Sequence, residues 1–303
     1  MIRTLFIFAL LALVFAQSAF AAEAASDTAD SASCATPATN EIDAQYQLEL
    51  GMKYFKGGGG QSPNNVLAMK CILGAANEGL VMAQNMAAIA YQKGDGVPKN
   101  EAEAAKWLQE AANQDDIGAE SMLGFVYSEG RGVAKSDADA VEWWGKAAVG
   151  GDRVAQFQLA LMYKKGIGVT RDMAAAIKWF QKSADQNWVP AEDYLGDLYH
   201  KGDGVTKNDH EAVKWWMMAA EQNNDMAQFS LGEAYDKGVD DLQRDAVQSY
   251  LWTSLSAKQN NKAAQSALLN LENRMTRDQI AEGIRLSRDW KPMPGPQPEA
   301  VSR

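Results

Sequence analysis

Six tyrosines recur along the chain at nearly constant spacing: Tyr54, Tyr91, Tyr127, Tyr163, Tyr199 and Tyr235, separated by 37, 36, 36, 36 and 36 residues. No other feature restricts the possible folds so much. After four of them comes the phrase Gly-x-Gly-Val, at Gly94–Val97, Gly130–Val133, Gly166–Val169 and Gly202–Val205. Sixteen residues past the same four stands a tryptophan: Trp107, Trp143, Trp179 and Trp215. A fixed period of this size marks stacked supersecondary units, none of which can bury its apolar face alone. Each period holds two apolar stretches of helical spacing parted by a glycine turn, so each unit is a helix-turn-helix.

The first helix of each unit ends near the tyrosine. Alanine and leucine stand eight and four residues before it (Ala119 and Leu123, Ala155 and Leu159, Ala191 and Leu195, Ala227 and Leu231), which puts all three on one stripe. A small residue follows the leucine (Gly51, Gly124, Ala160, Gly196, Gly232) and admits a neighbouring helix at close range. The glycines after the tyrosine suit a left-handed helix end and a tight reversal. The second helix opens on polar signals, Asn100 before Glu103, Ser136 before Asp139 and Asn208 before Glu211. Its expected inner stripe is alanine, tryptophan, alanine, as in Ala140, Trp143 and Ala147.

This pattern resembles the Sel-one-like repeat, a short unit related to the tetratricopeptide repeat. Four consecutive units between Ala83 and Ala220 carry it, with Ala87 and Ala88 in place of Leu-Gly in the first of them. The outer units depart from it: the first has the run Gly57–Gly60 and Cys71 in the tryptophan place, and the sixth has Gly238-Val239 alone, with Trp252 one residue late. Atypical ends are what capping repeats require, since each faces water on one side. The resemblance implies an all-α fold, a right-handed α-solenoid superhelix of about six helix-turn-helix repeats of 36–37 residues with a C-terminal capping helical segment. For function it implies a recognition surface, because such repeats bind protein or peptide partners as regulators, assembly adaptors or host-interaction factors.

Four segments are expected. Residues 1–21 read as a signal peptide: Arg3 is the charged start, Leu5 to Phe15 the apolar core and Ala19-Phe20-Ala21 the cleavage site. That core is too short to span a bilayer, which takes about 20 residues. Residues 22–40 form a leader of alanine, serine, threonine and aspartate with too little apolar surface to order itself. The solenoid and its cap occupy 41–290. In the cap, Ala263–Arg274 reads as a helix and Thr276 caps a last one, whose apolar face is Ile280, Ile284, Leu286 and Trp290. A proline-rich tail follows at 291–303. Cys34 and Cys71 are the only cysteines. In an exported, periplasmic or secreted chain they point to one disulfide; pairing between copies and two independent thiols are the alternatives.

With 47% apolar residues the chain can bury a continuous core, and its net charge of −10 opposes binding to nucleic acid, whose phosphates demand a basic footprint. The paired glycines end helices and cradle no phosphate. The two histidines, His200 and His210, lack the i, i+4 spacing of a helical zinc grip, and Ser-x-x-Lys is absent. Neither a catalytic residue, nor a metal ligand, nor a cofactor is expected. The competing class is an envelope enzyme or binder acting on peptidoglycan, β-lactam or carbohydrate.

A binding surface is expected on a second stripe of each first helix, six and two residues before the tyrosine. It lies about 200° from the alanine–leucine–tyrosine stripe, and the resemblance to tetratricopeptide repeats puts it on a concave wall. Its members are Leu48 and Met52, Asn85 and Ile89, Ser121 and Phe125, Phe157 and Leu161, Asp193 and Asp197, and Phe229 and Glu233. The strip is apolar through Phe125, Phe157 and Leu161, then acidic at Asp193, Asp197 and Glu233. It fits a segment with apolar anchors and a basic end. The alternative is that curvature buries these side chains against adjacent repeats.

Overall fold

The computed structural model describes residues 34, 38–57, 62–239 and 242–293. The expected signal peptide, most of the leader, residues 58–61 and most of the tail lie outside the described residues. Among the described residues 14 α-helices follow one another, and the only strand-like pairing is an isolated bridge between Val239 and Leu242. The chain divides into two compact units, one up to Ser136 and one from Asp137 onward.

The first unit holds α1 (Glu41–Lys56), α2 (Asn65–Asn77), α3 (Val81–Lys93), α4 (Glu101–Ala112) and α5 (Ile117–Glu129), each packed on the next. Alanines at helical spacing, Ala83 and Ala87 on α3 and Ala104 and Ala111 on α4, are buried and let the helices approach closely. The connections are as the turn signals predict. The Asn100 side chain caps α4 by accepting from the amides of Ala102 and Glu103, while the Asn100 backbone N–H donates to the Tyr91 carbonyl at 2.9 Å. Cys34 is bonded to Cys71, with their Cα atoms 4.5 Å apart. Both sulfurs belong to a buried cluster with Leu50, Tyr54 and Ala68. The leader is thereby tied to the first helix pair.

The second unit holds α6 (Asp137–Val149), α7 (Arg153–Lys165), α8 (Met173–Ala184), α9 (Val189–Lys201), α10 (Asp209–Glu221), α11 (Asp225–Lys237), α12 (Ala246–Lys258), α13 (Lys262–Glu272) and α14 (Arg277–Asp289). Consecutive helices from α6 to α13 pack together, and α14 returns onto α12. Gly166 ends α7 at φ +68° and donates to the Met162 carbonyl. Gly168 also has positive φ, +69°, and a Cβ there would stand 2.2 Å from the carbonyl oxygen of Asp137, at the start of α6. The repeated Gly-x-Gly is thus a packing device as well as a turn: its second glycine lets the loop press on the neighbouring helix.

The alanine–leucine pairs of the first helices are buried as expected, and their tyrosines are half-buried, as at Tyr163, Tyr199 and Tyr235. The expected tryptophan stripe holds at Trp107, which is buried, and needs correction at the other three. Trp143, Trp179 and Trp215 are only half-buried, whereas the residues one step on, Trp144, Phe180 and Trp216, lie in the core. The reason is close approach: a Cβ on Gly196 of α9 would meet the Trp216 ring at 2.4 Å, so the indole fills the space that the missing side chain leaves. The displaced tryptophans lean on cations instead, Lys146 over Trp143 at 3.9 Å and Lys182 over Trp179 at 4.5 Å.

The C-terminal cap also departs from expectation in its face. Thr276 and Gln279 form the predicted capping box. Ile284, however, is 48% exposed, and Gly283 and Ser287 are buried. Gly283 faces the Tyr250 ring so closely that a Cβ would meet it at 2.5 Å, which turns Leu286 and Trp290 inward and Ile284 out. The Trp290 ring packs edge-on against Trp252 at 6.2 Å.

Successive repeats are joined by buried glutamines at one register. In the first unit Gln84 donates to the Ala76 carbonyl at 3.3 Å and accepts from Gln114 of the next turn at 2.9 Å. In the second unit Gln156 donates to Ala148 at 3.1 Å and accepts from Gln186 at 2.9 Å, and Gln228 donates to Ala220 at 3.2 Å and accepts from Gln259 at 2.9 Å. Each glutamine thereby adds a side-chain donor to a helix-end carbonyl that also accepts a backbone N–H, from Gly79, Gly151 and Asn223 in turn.

Candidate functional site

On the first unit, α1, α3 and α5 carry the expected second stripe. Leu48 and Ser121 are buried and so cannot contact a partner. Leu48 stands four residues after buried Ala44 and shares its stripe; Ser121 is buried along with its neighbours Glu120 and Leu123. Met52, Asn85 and Phe125 are half-buried, with the Asn85 amide donating to Asp116 at 3.2 Å. Ile89 is 40% exposed.

On the second unit the stripe stays nearer the surface. Phe157 and Leu161 on α7 are half-buried and flank the cluster of Ala160, Phe180, Ala191 and Leu195. Phe157 meets Phe180 and Tyr194 edge-on, at 5.5 Å and 6.1 Å. These two residues therefore belong partly to the core, in the direction of the alternative stated above. Asp193 and Asp197 on α9 and Phe229 on α11 are half-buried, while Glu233 is exposed. Asp197 pairs with Lys201 one turn on, and Glu233 pairs with Lys237 at 3.3 Å. Burial pushes the Asp193 carboxyl up to about 6, helped by the negative charges of Asp197 and Asp225 and opposed by Lys201.

Between α9 and α11 the second unit opens a cavity of about 240 Å³, walled by Asp197, His200, Lys201, Glu233 and Lys237 over Trp216. His200 lies over the Trp216 ring at 5.3 Å, and its Nδ1 meets Asp209 at 2.5 Å. Burial would raise the Asp209 carboxyl, but His200 and Lys207 together hold it below its usual range. Near the apolar end, Lys164 reaches Asp203 at 2.9 Å and lies 4.8 Å from the Tyr194 ring centre.

Sequence reasoning missed Tyr194 and Lys164, and it weighed His200 only as a metal ligand. The available signal was an aromatic at 194 where the equivalent positions hold Met86, Met122, Gln158 and Ser230. Among the described residues no group of three or more His, Cys, Asp or Glu is placed to hold a metal ion, and no helix is long and apolar enough to cross a membrane.

A fold of paired helices at a 36-residue register, with a mixed apolar and acidic face, defines a helical-repeat scaffold. The Sel1 repeat model matches residues 44–80, 81–116, 117–152, 153–188, 189–224 and 225–261, and the chain belongs to that family. Among solved structures it is similar to c5321, a protective antigen present in uropathogenic Escherichia coli strains, at 32% identity and a TM-score of 0.72 over 81% of this chain. The match takes in 53% of c5321, so the chain spans about half the length of that relative. It is also similar to a Sel1 repeat protein from Oxalobacter formigenes, at 31% identity and a TM-score of 0.61, over 71% of this chain and 88% of the other. No curated protein matches the chain significantly.

Proposed function

We propose that this protein is an exported scaffold that holds an extended or helical segment of a partner protein on the first-helix face of its second unit. The segment's apolar anchors lie against Phe157, Leu161 and Tyr194, and its basic end lies against Asp197 and Glu233. The observation that carries this reading is the change from apolar to acidic along α7, α9 and α11, on side chains that stay partly open to solvent. The disulfide between Cys34 and Cys71 supports an oxidising compartment, as do the charged start, apolar core and Ala-x-Ala of residues 1–21. Similarity to a protective antigen supports the same placement.

The test places a photo-crosslinking residue at Glu233, and in a second variant at the exposed Lys178 of α8. A defined partner should be captured from 233 and not from 178. Reversing the charges with Asp197→Lys and Glu233→Lys should then weaken binding of that partner at low salt, with the effect shrinking as salt rises. Equal capture from both positions, or binding indifferent to the reversal, overturns the reading. Phe157→Ala is the poorer probe, because the ring also packs on Phe180.

A further inference from the structure

At the joint between the fourth and fifth repeats the buried glutamine is replaced by Glu192, which is fully buried. Gln222 donates to both of its carboxyl oxygens, at 3.1 Å and 2.8 Å. At the joints on either side, Gln156 and Gln228 do two things at once. Each side-chain oxygen accepts from the far end of its own repeat (Gln186, Gln259), and each amide N–H donates to a carbonyl of the repeat before, eight residues earlier (Ala148, Ala220). A carboxylate can only accept, so an ionised Glu192 leaves the Ala184 carbonyl without the donor that its counterparts have.

A neutral carboxylic acid restores both bonds: its C=O accepts from Gln222, and its O–H donates to Ala184. The backbone amide that also reaches this carbonyl, Asn187 at 2.8 Å, is no obstacle. The Ala148 and Ala220 carbonyls likewise take a backbone N–H, from Gly151 and Asn223, beside their glutamine. From this geometry we infer that Glu192 is a proton-binding site, and that taking up one proton from solvent tightens the joint between α8 and α9–α10 while releasing it loosens the joint.

The electrostatics agree. Burial pushes the Glu192 carboxyl up to about 7, and the Gln222 hydrogen bond pulls it back only in part. Among the described residues no charge offsets that burial. Asp197 and Lys201 of α9 and Asp225 of α11 act on the adjacent Asp193, and no charged group of α8 or α10 acts on either carboxyl. The folded value lies above the unfolded one near 4.5, so the folded chain holds a proton that the unfolded chain has lost. The contribution to stability is full below that lower value, and it is lost as pH rises towards 7.

Urea unfolding of the full chain, followed by tryptophan fluorescence from pH 5 to 9, tests this together with hydrogen exchange of α8 to α10. Wild type should lose stability as pH rises to 7, the Glu192 component changing the unfolding constant about ten-fold per pH unit. Glu192→Gln should remove that component and be more stable than wild type at pH 8. Asp193→Asn should leave it in place, which separates the two neighbouring carboxyls. Gln156→Glu should install the same dependence one joint earlier, whatever the folding yield of Glu192→Gln. A Glu192→Gln profile parallel to wild type, or a Gln156→Glu profile without the new dependence, overturns the inference.

Discussion

The distance between the two helices of the fifth repeat is decided by a pair of residues, Gly196 and Trp216. Alanine is the better helix former by about 1 kcal/mol, yet at 196 its methyl would stand 2.4 Å from the buried Trp216 indole. Overpacking of this kind costs about 1–3 kcal/mol, so Gly196→Ala should lower the melting temperature instead of raising it. A smaller ring, Trp216→Phe, should relieve part of the clash, and a double-mutant cycle in thermal unfolding would read the coupling. Additive losses would mean that the two side chains do not share the space assigned to them.

At the scale of elements, the ends of the array need devices that the middle does not. At the N-terminal end the device is covalent. The bond between Cys34 and Cys71 closes 37 residues of sequence, a constraint worth about 4 kcal/mol in the chain-entropy treatment. Cys34→Ala, or full reduction, should therefore lower the stability of α1 and α2 by about 2–4 kcal/mol, read as faster hydrogen exchange confined to those helices. Without denaturant, alkylation of the oxidised protein should label neither sulfur. At the C-terminal end the device is α14, whose Leu286 and Trp290 cover the cluster of Trp252 and Leu255. Trp290 is half-buried, so Trp290→Ala should cost about 1–2 kcal/mol, and denaturant midpoints would measure it.

For the whole molecule, acids outnumber bases by ten; many of the bases sit in local pairs, such as Lys146 with Glu142 and Lys214 with Glu211, and exposed pairs of this kind contribute little to stability. The charges serve solubility, and the strength of the array comes from alanine-lined packing and from the bonds at each joint. On the export route proposed above, the chain recovered from the cell envelope should begin at Ala22, and its intact mass should be lower by the weight of Met1–Ala21 with one disulfide intact. A full-length mass would show that residues 1–21 are retained.

The sequence by itself determined the helix pairs, their register and their order, because tyrosine, glycine and capping residues recur every 36 residues and act locally. Turn and cap chemistry depends on a few adjacent residues, which is why Asn100, Gly166 and Thr276 stand where the pattern puts them. The pairing of Cys34 with Cys71 was foreseeable too, since only two cysteines exist. What the period could not convey is which flank of a helix faces the deepest packing. Trp143 and Trp144 are one residue, or about 100°, apart, and only the approach of a neighbouring helix decides that Trp144 goes in and Trp143 stays at the edge. The same contact between helices turned Ile284 outward and drew Phe157 part-way into the core, beside Tyr194. Glu192 shows the limit most clearly: its letter is that of an ordinary surface carboxylate, and it is the packing of α9 against the end of α10 that brings it, buried, beside Gln222.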